Sequence, residues 1–133
     1  MTEKSRIMKV SEVMKTSFDV VDGMATVAEA LAKMKHVETK CLIVQKRDEH
    51  DEVGLLLISD IAREVLARDR APDRVNVYEI DCKPVLTVRH DMAIRYCARL
   101  FTQFDLSRAP VMRDGEVVGI VSLTDLVLKG MEW

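Results

Sequence analysis

The sequence predicts an α/β (α+β) fold made of two β-α-β-β-α repeats, their small sheets packed on one another as a pseudo-twofold pair within one chain. Three observations predict it. Val10-Ser-Glu-Val13 recurs as Val77-Tyr-Glu-Ile80, a displacement of 67 positions, and Val27, Ala30 and Val44 meet Ile94, Cys97 and Val111 at the same displacement. Val53-Gly-Leu-Leu56 then recurs as Val118-Gly-Ile-Val121, and Asp60-Ile61 as Asp125-Leu126, displaced by 65. The slip falls where Gln45 to Glu52 faces the tighter Arg113-Asp-Gly-Glu116, and a loop tip is where a duplicated fold best tolerates a length change. Finally, a half of 133 residues hides too little apolar surface to stand alone, which asks for a shared core and clefts between the copies.

Each copy presents the same elements in the same order. A short leading segment ends near Met14 or Asp81, and an extended stretch follows, Phe18 to Val21 or Val85 to Val88. An amphipathic helix comes next. In the first copy Val27, Ala30, Leu31, Met34 and Val37 fall at helical spacing, behind the capping-box pattern Thr26-Val-Ala-Glu29. In the second, Asp91 is the expected N-cap for the stripe Ile94, Cys97, Ala98 and Phe101. Two strands follow in each: 41–44 with 53–58, and 109–112 with 117–121. Asp114-Gly115 is a hairpin-turn signal for the second pair. A closing helix is expected to start at Ser59 or Thr124 as N-cap, carrying Ile61, Val65 and Leu66 in the first copy until Arg70-Ala-Pro72 stops it. Residues 7–68 and 77–129 are the two repeats, with 69–76 as linker.

Composition excludes several function classes. Apolar residues are 48% and charged residues 32%, with a formal net charge of −2 and both signs mixed throughout, so no basic face offers nucleic acid a row of phosphate contacts. Asp48-Glu-His-Asp-Glu52 lacks the alternating oxygen ligands and central glycine of a calcium loop and reads as a solvated hairpin tip. Cys41, Cys82 and Cys97, with His36, His50 and His90, form no zinc-ligand spacing; the cysteine usage fits a reducing, cytoplasmic setting. No signal peptide opens the sequence, and no uncharged apolar run is long enough to span a bilayer. The eight methionines read as core filler, and Trp133 as a frayed end, with packing on a partner as the alternative. No nucleophile sits beside a base, and His90 and Cys97 have no reason to meet, so no catalysis, catalytic cofactor or metal is expected.

The leading segments at 10–13 and 77–80, the helix Ala30-Leu-x-x-Met34, the run Ser107-Arg-Ala-Pro-Val111 and the run Gly119-Ile-Val-Ser-Leu-Thr-Asp-Leu126 together resemble the CBS domain, named after cystathionine β-synthase, which occurs in tandem pairs called Bateman modules. The resemblance covers roughly residues 7–129. It implies a regulatory module binding AMP, ADP, ATP or S-adenosylmethionine in the cleft between the repeats, and a homodimer. It also implies an effector on another polypeptide.

Carried over by position, the resemblance gives the second copy the better site. Asp125 would take the ribose hydroxyls, Ser122 and Thr124 would face the phosphates, and Arg108 would supply positive charge. Adenine would stand near Val85 and Pro110, its edge read by backbone beside Lys83-Pro84. In the first copy Ser59 and Asp60 remain, but Leu57 stands at the inner hydroxyl position and Lys40-Cys41 replaces Ser107-Arg108. Where relatives place a threonine before the first helix, Met24-Ala25 and Asp91-Met92 stand, with only Thr26 nearby; this shifts the expectation from phosphate-rich ligands toward adenosine or S-adenosylmethionine.

The chemistry fits those roles: an ionised carboxylate accepts two O–H bonds from a vicinal diol, and an Arg fork suits phosphate oxygens. Two plainer readings stay open. Ser59-Asp60 and Thr124-Asp125 are also what helix caps look like, and Arg108 could pair with Asp105 or Asp114. The functional alternative is a degenerate pair that dimerises and docks on a partner protein without a small ligand.

Overall fold

The computed structural model describes residues 7–131; Trp133 lies outside them. The chain divides into two compact units, one of residues 18–85 and one in which residues 7–17 join residues 86–131.

In the 18–85 unit, strand β1 (Val20–Val21) pairs parallel with β2 (Cys41–Val44), which pairs antiparallel with β3 (Gly54–Leu57). Between β1 and β2 runs helix α1 (Val27–Lys33), capped by Thr26, whose hydroxyl accepts from Glu29 N–H (3.1 Å) while Glu29 accepts from Thr26 N–H (2.8 Å). The capping-box reading holds, and both orphan donors are satisfied. The helix is shorter than its apolar spacing suggested. It stops at Met34, and Val37 lies exposed in a following 3-10 turn, because Lys35 and His36 N–H groups are taken by the Asp19 carboxylate (3.0 and 2.8 Å). Leu31, also expected in the core, is exposed.

The closing helix α2 (Ile58–Ile61) widens into a π turn over Ala62–Leu66. Ile61 and Val65 are buried, but Leu66 turns outward, as the wider turn moves it off the apolar face.

The second unit repeats the plan: β4 (Val88–Arg89) parallel to β5 (Arg108–Arg113), β5 antiparallel to β6 (Glu116–Ser122), with helices α3 (Ile94–Gln103) and α4 (Leu123–Gly130). Its hairpin is longer because Asp114 (φ 50°) and Gly115 (φ 79°) close it in two residues, both in the left-handed region that a tight hairpin turn requires. Phe101, Cys97, Val111 and Val121 are buried around α3. Asp91 is not the α3 cap: the cap position is Ala93, two residues on, and Asp91 pairs with Arg89 instead (2.9 Å).

The compact units and the sequence repeats are cut differently. The leading segment of each repeat completes the unit of the other. Val77 and Tyr78 N–H donate to Ala25 and Gly23 carbonyls (2.9 and 3.0 Å), and Val27 N–H donates to Val75 (2.8 Å). In the other unit Val10 and Ser11 donate to Met92 and His90 (2.8 and 2.9 Å), and Ile94 donates to Met8 (2.9 Å). Every one of these pairs maps onto its counterpart at the 67-residue displacement. Accordingly Val75 and Val77 lie in the first core, and Val10 and Val13 in the second.

Candidate functional site

Both units carry an acidic residue at the third position of the closing helix, and the same backbone device brings a leading segment to it. Lys15 and Ile120 exchange two hydrogen bonds (2.8 and 2.9 Å), extending the β6 edge; Leu55 and Cys82 do the same at β3 (both 2.9 Å). Such an approach needs a residue without a side chain beneath it. A Cβ on Gly119 would stand 2.6 Å from the Lys15 carbonyl oxygen and 2.6 Å from Met14 Sδ. On Gly54 it would stand 2.9 Å from Asp81 Oδ2 and 3.1 Å from the Cys82 carbonyl oxygen.

The helix starts two residues earlier than the sequence suggested. Leu57 and Ser122, not Ser59 and Thr124, occupy the N-cap positions; Ser59 and Thr124 are exposed on the first turn. The reason is the carboxylate at the third helical position. Asp60 Oδ2 accepts from Leu57 N–H (3.0 Å), so a leucine can hold the cap position without a hydroxyl of its own. In α4, Ser122 Oγ accepts from Asp125 N–H (3.1 Å) and donates to Asp125 Oδ2 (3.0 Å).

Asp125 is only 3% exposed, and its counter-ion is a residue that the sequence reading passed over. Lys15 Nζ lies 2.7 Å from Oδ1 and 3.0 Å from Oδ2, and Lys129 Nζ stands 3.5 Å from Oδ1. Burial would raise the Asp125 carboxyl, but Lys15, Ser122 and Lys129 outweigh burial and hold it below the usual carboxylate value. Arg108 faces Ser122 directly across the β5–β6 ladder and is half-buried, on the strand that begins beside this network. Pro110, one alternation further along β5, is buried opposite Ile120. A sequence signal for Lys15 existed. At the 67-residue displacement Lys15 faces Cys82, so the repeats differ in charge at the one leading position that pairs with the strand before the acid.

The remaining predicted positions fall in the 18–85 unit. Asp60 is paired outward with Arg63 (2.5 Å). Lys40 sits in the left-handed region (φ 59°) and its carbonyl accepts from Ile58 N–H (3.1 Å), as Ser107 accepts from Leu123 (2.9 Å). The Thr26 hydroxyl is engaged in the α1 cap. Pro84 follows a cis peptide bond and Val85 is half-buried. Lys83 turns toward the β2–β3 loop, donating to the Gln45 carbonyl (3.3 Å) and Asp51 Oδ2 (2.8 Å).

The acidic loop is thus not wholly solvated. Asp51 accepts from Lys83 and from Arg47 N–H (2.8 Å), and these bonds push its carboxyl far below the usual range. At this end of the unit a cavity of about 480 Å³ is lined by Gly23, Met24, Arg47, Tyr78, Asp81 and Lys83.

Catalytic chemistry finds few parts. The Cys97 thiol is fully buried, and burial pushes it up to about 11, leaving a protonated and inert sulfur. Among the described residues no three His, Cys, Asp or Glu side chains are placed to share a metal ion, and no helix is long and apolar enough to cross a membrane.

A family model for the CBS domain matches twice, at residues 10–67 and 77–132. The chain is 30% identical to protein MK0525 of Methanopyrus kandleri over 126 residues, covering 92% of this chain and 62% of that protein. It thus spans about three fifths of that relative's length. Among solved structures, the hexameric CBS-CP12 protein from bloom-forming cyanobacteria superposes with a TM-score of 0.87 at 36% identity, covering 92% of this chain and 71% of that one. The CBS domain protein PAE2072 from Pyrobaculum aerophilum, complexed with AMP, shares the fold at a TM-score of 0.77 and 21% identity, covering 91% and 92%.

Proposed function

The chain belongs to the CBS-domain family, with two copies of the domain, and from that premise we propose a regulatory module that catalyses nothing and binds an adenosine-containing ligand at Asp125. The AMP complex of a protein with the same fold makes adenosyl compounds the first class to test. AMP, ADP, ATP and S-adenosylmethionine are the candidates, with adenosine as the minimal one.

The observation that carries the reading is the ion pair of Asp125. The carboxylate is kept ionised in a buried position by a lysine whose own side chain is 27% exposed and so reaches solvent. A vicinal diol offers two O–H donors to the same two oxygens, replacing the Lys15 ammonium without leaving a buried charge bare. The released ammonium then remains within reach of an anionic portion of the ligand, together with Arg108. Ser122 holds the carboxylate in place during the exchange, and Thr124, exposed one residue before it, is positioned to contact the ligand.

Regulation requires that the ligand bind two states of the protein differently, and the readout then passes to a separate effector, most simply through a homodimer in a reducing cytoplasm. Calorimetric titration with AMP, ATP, S-adenosylmethionine and adenosine tests the binding step. A binding event from at least one of them that is lost in Asp125→Ala is the expected result; no heat from any, or an unaltered Asp125→Ala, removes the proposal.

A second reading draws on the same pair. Lys15 already satisfies Asp125, and Leu57 and the outward-paired Asp60 leave the other copy without a hydroxyl cluster, which suits an assembly module with closed sites. Thermal shift against the same panel separates the two, since a ligand binding only the native state raises the melting temperature by mass action.

A further inference from the structure

The hairpin end of the 18–85 unit has a feature that its counterpart lacks. At the 67-residue displacement Asp81 stands where the other unit has Met14. Met14 packs on the apolar core of its unit and fills the space over Gly119. Asp81 reaches over Gly54 in the same way, but its Oδ2 is buried and, among the described residues, has no hydrogen-bond partner. Such an atom is a standing cost in a folded protein unless something donates to it. Burial pushes the Asp81 carboxyl up, and nearby Lys83 works against that without bonding to it.

The cavity that Asp81 lines is of ligand size. Its volume of about 480 Å³ falls inside the range of roughly 300–1,000 Å³ found for small-molecule sites. Its walls are chemically divided. Tyr78 and Met24 present exposed apolar surface, while Arg47 and Lys83 bring two positive charges. Asp51 takes only one edge of each. Arg47 meets it through Nε (3.2 Å) and the backbone N–H, so the terminal guanidinium nitrogens make no bond among the described residues. Lys83 spends two of its three donors on Gln45 and Asp51.

We propose that this cavity is a binding site for a small organic anion of nucleotide size, whose anionic group meets Arg47 and Lys83 and whose amino or hydroxyl group lies against the Asp81 side chain that lines it. An apolar or ring portion lies against Tyr78 and Met24. The site shares no side chain with the Asp125 network; Lys83, whose backbone the family resemblance put beside the adenine, is the one residue common to both readings, and the Asp125→Ala arm below keeps them apart.

Calorimetric titration of the wild-type chain with AMP, GMP and ribose 5-phosphate, beside inorganic phosphate alone, tests it. At least one organic probe is expected to bind ten times or more tightly than inorganic phosphate. That binding should weaken at least tenfold in Asp81→Asn and in Arg47→Ala, disappear in Asp81→Met, and persist in Asp125→Ala. Circular dichroism confirms that each variant is folded, and Asp81→Asn, which keeps the shape, stands in should Asp81→Met fail. No heat from any organic probe overturns the proposal, and so does binding that Asp81→Asn and Arg47→Ala leave unchanged. Binding lost in Asp125→Ala but kept in both of those variants overturns it too, while supporting the Asp125 site.

Discussion

The two units solve one backbone problem with opposite side chains. In each, a leading segment crosses a glycine and extends the edge of a hairpin strand just before a helix that begins with a carboxylate. In the 86–131 unit the crossing residues are Met14 and Lys15: the thioether fills the space over Gly119, and the ammonium neutralises Asp125. In the 18–85 unit they are Asp81 and Cys82: a carboxylate oxygen is buried without a donor among the described residues, Cys82 is exposed, and Asp60 finds a partner on its own helix. One unit has closed its polar accounts and the other has not. Duplication preserved the hydrogen bonds of the main chain, pair for pair, while the side chains on that shared frame diverged in charge and polarity.

The largest effect should come from the glycines that permit the crossing. Gly119→Ala sets a Cβ 2.6 Å from a backbone oxygen and from Met14 and should cost about 3 kcal/mol, whereas Gly54→Ala, whose closest contact is a side-chain oxygen and whose nearest backbone oxygen stands at 3.1 Å, should cost about 2 kcal/mol. Urea unfolding checks the order, and equal costs would break the comparison at its backbone level.

Next comes the ion pair. Lys15→Ala leaves Asp125 buried with Ser122 and the looser partner Lys129, 3.5 Å away, and should cost about 2 kcal/mol, below the roughly 3–5 kcal/mol of a fully buried pair because Lys15 is partly exposed. Arg63→Ala removes the surface partner of Asp60 and should cost under about 1 kcal/mol. Asp81→Met, which copies the other unit, should gain on the order of 1 kcal/mol by removing the unpaired oxygen.

The pH dependence sharpens the same contrast. The Asp125 carboxyl is held below its unfolded value of about 4, so its stabilisation is fully present above that pH and is lost as the pH falls through it toward the folded value. Asp81 is raised, so its effect has the opposite sign: stability falls as the pH rises from about 4 to the folded value. Urea midpoints measured from pH 7 down to 3 should therefore drop less steeply in Lys15→Ala than in the wild type, and more steeply in Asp81→Asn.

Much of the fold was legible because it was written twice. The displaced pairs located strands and helices, Thr26 and Glu29 marked a true capping box, and Asp114-Gly115 marked the tight hairpin. The misplaced helix starts have separate causes. Ser59 and Thr124 are good cap residues by type, but Asp60 satisfies the Leu57 N–H and Ser122 caps α4 with its own hydroxyl, while Asp91 pairs with Arg89 and Ala93 holds the α3 cap position. Val37 kept the helical spacing, yet the Asp19 carboxylate, far back in the chain, captured the N–H groups that would have continued α1. Asp125 and Ser122 were both singled out by the repeated run, but Ser122 was expected to face the phosphates and Thr124 to cap the helix, whereas Ser122 is the cap and bonds to Asp125. Lys15 was not singled out, because 110 residues separate it from its partner, and only the pairing of the leading segment with β6 brings them together. The Asp81 cavity was hidden for the same reason.

Titration of adenosine into Lys15→Ala, compared with the wild type and Asp125→Ala by calorimetry, tests the central claim most directly. Adenosine carries the diol but no phosphate for the lysine to attract. If a sugar takes the place of the ammonium on Asp125, removing that ammonium should tighten adenosine binding several-fold, and Asp125→Ala should show no heat. Adenosine affinity that is unchanged or weakened in Lys15→Ala, or equal binding by Asp125→Ala, would contradict it.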